Sequence, residues 1–326
     1  MKIWNETLEV VQEAISYLGT GHACAIVVLT KVKGSAFRRP GAKLLIRADG
    51  SMTGNVSGGC LENDLRERAL AAMQSGRQEM VHYNTGSDED VIWGLGLGCD
   101  GELDLLIHPL DKVTSLPWLQ SVLDRMEQHE PFSLAWSLVS GPAIPPRINA
   151  GATPDVFLDT LEPPPDLFVI GAGDDAIPLV ELAALAGMRV TVVDHRAGYL
   201  ESARFPRAFA IHQLRPENAA GRLMVNDHSL VIIKNHALEM DKKWAQFIDE
   251  TDAAYIGILG PQKRCEQVRA GMRSGRLERV FGPAGLDIGG EGAEQIALSI
   301  IAGMLAAWNR REPGHLRNRA GPIHGR

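Results

Sequence analysis

Two glycine-rich strings carry the residues whose types and spacing could do chemistry. The first runs from Gly34-Ser-Ala-Phe-Arg-Arg-Pro-Gly41 to Ser57-Gly-Gly-Cys-Leu-Glu62. Ser57, Gly58 and Gly59 lie just ahead of an expected helix, so their backbone N–H groups would gather at its positive end and form a nest for an anion. Cys60 is expected in the first turn of that helix, where the same partial charge lowers a thiol pKa and favours a nucleophilic or metal-binding thiolate. Glu62, in the same turn, partly offsets the effect. Arg38, Arg39 and Lys43 flank Pro40-Gly41 and could supply phosphate or carboxylate contacts, bidentate ones from arginine. Gly94-Leu-Gly-Leu-Gly98 delivers Cys99 with little bulk around it, and two glycine-embedded cysteines suggest one shared soft site. The plainer alternative is that a lone cysteine is a small buried hydrophobe and the glycines serve tight hairpins. Cys24 and Cys265 read as core or surface filler.

The second string, Val169-Ile-Gly-Ala-Gly-Asp-Asp-Ala176, closes with Val192-Val-Asp-His-Arg196. Gly171 and Gly173 follow an expected strand and open a helix. Asp194 ends the next strand roughly 20 residues on, where a ribose hydroxyl would be held, with Arg196 beside it. That context defines a nucleotide fold, but Asp174 and Asp175 sit where a pyrophosphate would meet the helix N-terminus. At near-surface dielectric each would repel a phosphate by about a kcal/mol, which handicaps NAD(P) unless a magnesium ion intervenes. The competing reading makes them capping acids on a scaffold that binds no dinucleotide. Asn235-His236 falls past the fourth strand, at the edge where such folds place ligands. His236 is therefore a candidate ligand or acid–base group, with a satisfied surface histidine as the alternative.

The elements that must position these residues follow from periodicity. Leu8, Val11, Ile15 and Leu18 recur at helical spacing and predict an opening amphipathic helix. Strands are expected over 23–32, 43–47, 51–56, 78–83, 102–109 and 132–139, with helices over 60–74 and 117–130. These make an α+β domain over 1–140. Seven prolines between Gly141 and Pro165 predict a stiff spacer over 141–165. From 166 to 311, short apolar strands alternate with helices, the pattern of a Rossmann-like, doubly wound parallel sheet, followed by a basic tail over 312–326. The fold class is α/β.

At 326 residues the chain suits two domains, and 45% hydrophobic with 22% charged residues is the balance of a globular protein. Its longest apolar run is too short to span a bilayer and no secretion signal is visible, so a cytoplasmic protein away from membranes is expected. A net charge of −7 gives no encouragement to nucleic-acid binding. Four widely spaced cysteines argue against a zinc site and a disulfide scaffold.

The first-domain motifs, with Gly54 and Gly96-Leu-Gly-Cys99, resemble the XdhC/CoxI family of accessory factors for xanthine dehydrogenase and related molybdenum hydroxylases. The second half is similar to that family's Rossmann domain through Ile170-Gly-Ala-Gly173, Val193-Asp-His-Arg196, Gly257-Ile-Leu-Gly260, Arg264 and Gly285-Leu-Asp-Ile-Gly289. The chain departs from the family pattern at Asp174, Asn235 and Ala293. The resemblance implies a maturation factor without turnover of its own. Such a factor binds molybdenum cofactor (molybdopterin), helps exchange an oxo ligand for sulfide, and passes the cofactor to an apo molybdenum hydroxylase. It also implies a homodimer, with a cysteine desulfurase as a further candidate partner; that a Cys60 thiolate holds or shields the metal is inferred from the residue itself. The competing reading is an NAD(P)-dependent oxidoreductase or nucleotide-sensing subunit that uses the Rossmann domain.

Overall fold

The computed structural model describes residues 2–34, 36–84 and 101–318. The chain divides into two compact units with the boundary between Pro163 and Pro164. The first opens with α1 (Lys2–Gly19), whose Trp4, Thr7, Val11, Ala14 and Leu18 recur every three or four residues and are all buried. A six-stranded sheet follows, built from β1 (Cys24–Gly34), β2 (Lys43–Arg47), β3 (Met52–Gly54), β4 (Arg77–Asn84), β5 (Gly101–Leu110) and β7 (Gly141–Pro142). Its order is β3-β2-β1-β5-β4-β7, with antiparallel pairing throughout.

Strand β1 is buried on both faces, and the side-chain alternation of a strand sorts its residues into two cores. Cys24, Ile26 and Val28 join the core under α1 and α3 (Lys112–Glu127). Ala25, Val27 and Leu29 join the core under α2 (Glu62–Ser75), whose last turn closes on a left-handed Gly76. Helix α3 begins ahead of the expected Pro117, because the Asp111 carboxylate accepts from the N–H groups of Val113 and Thr114 and caps it there.

The segment read from its prolines as a spacer belongs instead to the first unit. β7 extends the large sheet at its edge, where the missing N–H of Pro142 costs little. β8 (Arg147–Ile148) and β9 (Val156–Leu161) flank β6 (Phe132–Ser137) in a three-stranded antiparallel sheet.

The second unit is a parallel sheet with the strand order of a Rossmann fold. β10 (Asp166–Ile170), β11 (Arg189–Asp194), β12 (Ala210–Gln213), β13 (Ser229–Ile233), β14 (Tyr255–Ile258) and β15 (Val280–Phe281) are ordered β12-β11-β10-β13-β14-β15. α4 (Ala176–Leu185) and α7 (Gly292–Trp308) pack against each other, as do α5 (Leu238–Asp249) and α6 (Gln262–Arg269). The two-residue β15 escapes sequence reading, and Phe281 on it stacks on Tyr255 at 4.5 Å. The strand order reverses between β10 and β13, which opens a crevice at their carboxyl ends.

Candidate functional site

In the first unit, Gly54 turns the chain out of β3 so closely past β2 that a Cβ there would lie 2.5 Å from the Lys43 carbonyl oxygen. Buried Val56 and Leu61 then pin the two ends of a bend whose tip, Gly58 and Gly59, is exposed. Inside the bend the Ser57 hydroxyl donates to the Glu62 carboxylate at 2.8 Å and accepts from the Gly59 N–H at 3.2 Å. The Leu61 N–H donates to Glu62 Oε2 at 3.0 Å. One donor of the expected anion nest, the Gly59 N–H, and the nearby Leu61 N–H are thus turned onto the chain's own side chains.

Helix α2 starts at Glu62 with Leu61 as its cap, so Cys60 stands just ahead of the helix rather than in its first turn. The thiol is half-buried and lies 3.7 Å from Ser57 Oγ. Cys24 and Cys265 are fully buried. Burial pushes the Cys24 thiol up to about 12, against the pull of Arg47, and raises that of Cys265 as well. Both are the inert fillers the sequence suggested. Cys99 lies outside the described residues.

Two basic residues of the first string, Arg38 and Lys43, turn toward α1 and β9. Arg38 is buried and makes a bidentate pair with Glu6 on α1, through Nη1 at 3.0 Å and through Nη2. Lys43 is buried beneath Gly41, its Nζ donating to Asp159 Oδ2 at 2.6 Å, Gly41 O at 2.9 Å and Thr7 Oγ1 at 3.1 Å. The sequence points both toward a ligand, whereas each is held by a carboxylate from an element distant in sequence. Arg39 is exposed on the same loop.

In the second unit the glycine loop is shaped by the neighbouring strand. Gly171, at φ +114°, passes so close to the end of β13 that a Cβ would lie 2.5 Å from the Lys234 carbonyl oxygen. Asp194 is fully buried and spent. Its Oδ2 accepts from the Ala172 N–H and Arg196 Nη2, both at 2.8 Å, and its Oδ1 from the Arg196 N–H at 2.9 Å and Nε at 3.0 Å. Burial works to raise its pKa, but these hydrogen bonds and the guanidinium charge win and bring it down to about 2. Arg196 also lies 3.9 Å over the Tyr199 ring. The acid expected to hold a ribose therefore closes the loop on itself.

Asp174 is exposed and pairs with Arg204 at 2.6 Å, which also holds the carbonyls of Ala172 and Tyr199. Asp175 stands at the N-cap of α4 and accepts from Lys234 Nζ at 2.6 Å, with His236 Nε2 3.4 Å away. His236 has a left-handed backbone, φ +61°, and faces Gly173, where a Cβ would come within 3.6 Å of its Nε2. Sequence reading gave no role to Lys234, Asp241 or Arg264. Asp241, fully buried on α5, accepts from the N–H and Nδ2 of Asn235 and from Arg264 Nη2 at 2.5 Å. A cavity of about 230 Å³ opens here, lined by Lys234, His236, Leu259, Gly260, Pro261 and Arg264. The available signal was a lysine placed directly after the apolar run Ser229-Leu-Val-Ile-Ile233.

Among the described residues no cluster of three or more His, Cys, Asp or Glu side chains is placed to hold a metal ion, and no helix is long and apolar enough to cross a membrane.

A parallel sheet of Rossmann order, preceded by an α+β unit that presents a cysteine in a glycine bend, defines a two-unit Rossmann-type protein with a thiol-bearing partner domain. Residues 167–304 match the family model described as the XdhC Rossmann domain, and residues 18–84 match that of the XdhC and CoxI family. The chain belongs to the XdhC/CoxI family. It is 28% identical over 312 residues to a probable xanthine dehydrogenase subunit of Bacillus subtilis (strain 168), covering 87% of this chain and 93% of that protein. It is 28% identical over 300 residues to the molybdenum cofactor insertion chaperone PaoD of Escherichia coli (strain K12), covering 89% of this chain and 85% of that one. A crystal structure described as a xanthine dehydrogenase from Bacillus halodurans superposes with a TM-score of 0.82 at 27% identity, covering 93% of this chain and 96% of that one.

Proposed function

We propose that this protein binds molybdenum cofactor as cargo and inserts it into an apo molybdenum hydroxylase of the xanthine dehydrogenase type, acting as a chaperone without turnover of its own. The observation that carries the reading is the state of Cys60. It is half-buried at the edge of an exposed glycine bend, while Cys24 and Cys265 are sealed in cores that keep their thiols protonated. Cysteine sulfur is a soft ligand suited to the metal of the cargo, and among the described residues nothing lies within 4 Å of where a Cβ at Gly58 or Gly59 would sit. The similarity to PaoD over most of both chains supports the same reading.

In its finer form the proposal has the cofactor sulfurated before transfer, with a cysteine desulfurase as sulfur source and a cytoplasmic homodimer as the working form. Against the dinucleotide alternative stands Asp194, both of whose oxygens already accept hydrogen bonds within the chain.

The experiment is retention of cofactor by the full chain and by Cys60→Ala, purified from cells that make molybdenum cofactor. Molybdenum is measured by mass spectrometry and the pterin by fluorescence after oxidation. Wild type is expected to retain both near stoichiometrically and the variant to lose both with its circular dichroism unchanged. Equal retention by the two proteins, or none by either, would overturn the assignment.

A further inference from the structure

We propose that the second unit carries a phosphate-binding site that has moved from the usual Rossmann position, at the N-terminus of α4, to the cavity between the ends of β13 and β14. The first argument is an unfinished hydrogen-bond account. Lys234 is buried, and an ammonium has three N–H groups to place. Among the described residues it makes one hydrogen bond, to Asp175 Oδ1. Burial pulls its pKa down against the opposing pull of Asp175, Asp194 and Asp241.

The second argument is the sign of the charge that faces the space. Lys234, Arg264 and His236 line the cavity, whereas Asp175 and Asp241, which neutralise the first two, are not among its lining residues. Gly260, at φ +136°, lets the Arg264 side chain lie against the backbone: a Cβ there would come within 2.7 Å of Arg264 Cδ. Pro261 stands at the N-cap of α6, so the positive end of that helix also opens at the cavity. The corresponding end of α4 carries Asp174 and Asp175 instead, and the Ala172 N–H of the glycine loop is already given to Asp194. An anion is therefore repelled from the usual position and attracted one strand further along the sheet.

The volume limits the ligand. About 230 Å³ is less than a dinucleotide requires and suits a phosphate with at most a sugar behind it. Inorganic phosphate and the terminal phosphate of a nucleotide share this chemistry. The site is independent of Cys60 and of the cargo reading.

The test is titration calorimetry on the full chain with inorganic phosphate and with ADP, for wild type, Lys234→Met and Leu259→Glu. The second variant places a carboxylate in the cavity, where Lys234 can pair with it, and keeps the test open should Lys234→Met fail to fold. Saturable binding by wild type is expected, weakened at least about tenfold in each folded variant. Tighter binding of ADP than of phosphate would identify a nucleotide site, and equal binding a site for phosphate alone. No binding of either probe by wild type, or binding unchanged in Leu259→Glu, would overturn the proposal.

Discussion

Each unit buries a lysine against an aspartate at 2.6 Å, and the two pairs are built differently. Lys43 has three acceptors, and its partner Asp159 is only 3% exposed, so charge and hydrogen bonds close within the core. Among the described residues the Lys234 ammonium has one acceptor; it borders a cavity, and its partner Asp175 is 30% exposed. A buried ion pair does little net work for stability compared with an apolar substitute, but removing one member of a sealed pair strands the other. The saturated lysine is thus committed to the fold, while the unsaturated one keeps donors for something outside it.

The sharpest way to break this comparison is to remove each ammonium without changing side-chain length. Lys43→Met strands Asp159 in the core and is expected to destabilise the first unit by about 3–5 kcal/mol. Lys234→Met leaves a carboxylate that water and His236 can reach, so about 1 kcal/mol or less is expected in the second unit. Cys24 and Cys265 are fully buried, one in each unit, so alkylation of each thiol in a urea series reads the two units separately. Equal losses of protection from the two substitutions would show that the pairs do the same job.

A pH series extends the contrast. His108 is buried beside Trp118 and Trp136 in the first unit, and burial pulls its pKa down to about 4, against the pull of Asp111. The fold therefore prefers the neutral ring. That preference contributes stability in full above the unfolded value near 6.5, and the contribution is lost as pH falls from there to 4. The shift corresponds to roughly 3 kcal/mol. Asp194, held down at about 2, contributes roughly 2 kcal/mol to the second unit above pH 4 and loses it only between 4 and 2. At about pH 5 the Cys24 probe is expected to report a weakened first unit while the Cys265 probe reports no change. His108→Gln should flatten the first profile between about pH 7 and 5, and a decline of both probes together would contradict the assignment.

What could be read from the chain depended on how local each constraint is. The parallel sheet was legible, β15 apart, because its strands are short apolar runs ending at turns, and the Gly171 loop because its tight approach to β13 needs glycine. The bend at Cys60 was legible for the same reason, since its glycines, cysteine and capping residues are neighbours in sequence. Arg38 and Lys43 were misread because their partners lie 32 and 116 residues away, and a lysine beside glycines looks like a ligand until its carboxylate is found. Lys234 was passed over because a lysine after an apolar strand usually marks where the strand meets water. The prolines of 141–165 suggested a spacer because composition does not reveal that they fall at strand ends and on a sheet edge.

The smallest expected effect on stability separates the fold's own needs from those of the cargo. Gly171 and Gly54 are glycines because a Cβ would strike backbone at 2.5 Å. Gly58 has no positive φ, and a Cβ there would meet nothing within 4 Å. Among the described residues nothing gives the fold a reason for glycine at 58, so Gly58→Ala is expected to change stability by less than about 0.5 kcal/mol. If the bare bend serves the approach of a bulky ligand to Cys60, the added methyl group should still lower cofactor retention. Retention by Gly58→Ala is measured beside Cys60→Ala, with urea unfolding as the control. A stable variant with full retention would move the point of approach off this bend, and a clear loss of stability would show that the space above Gly58 is needed by the fold itself.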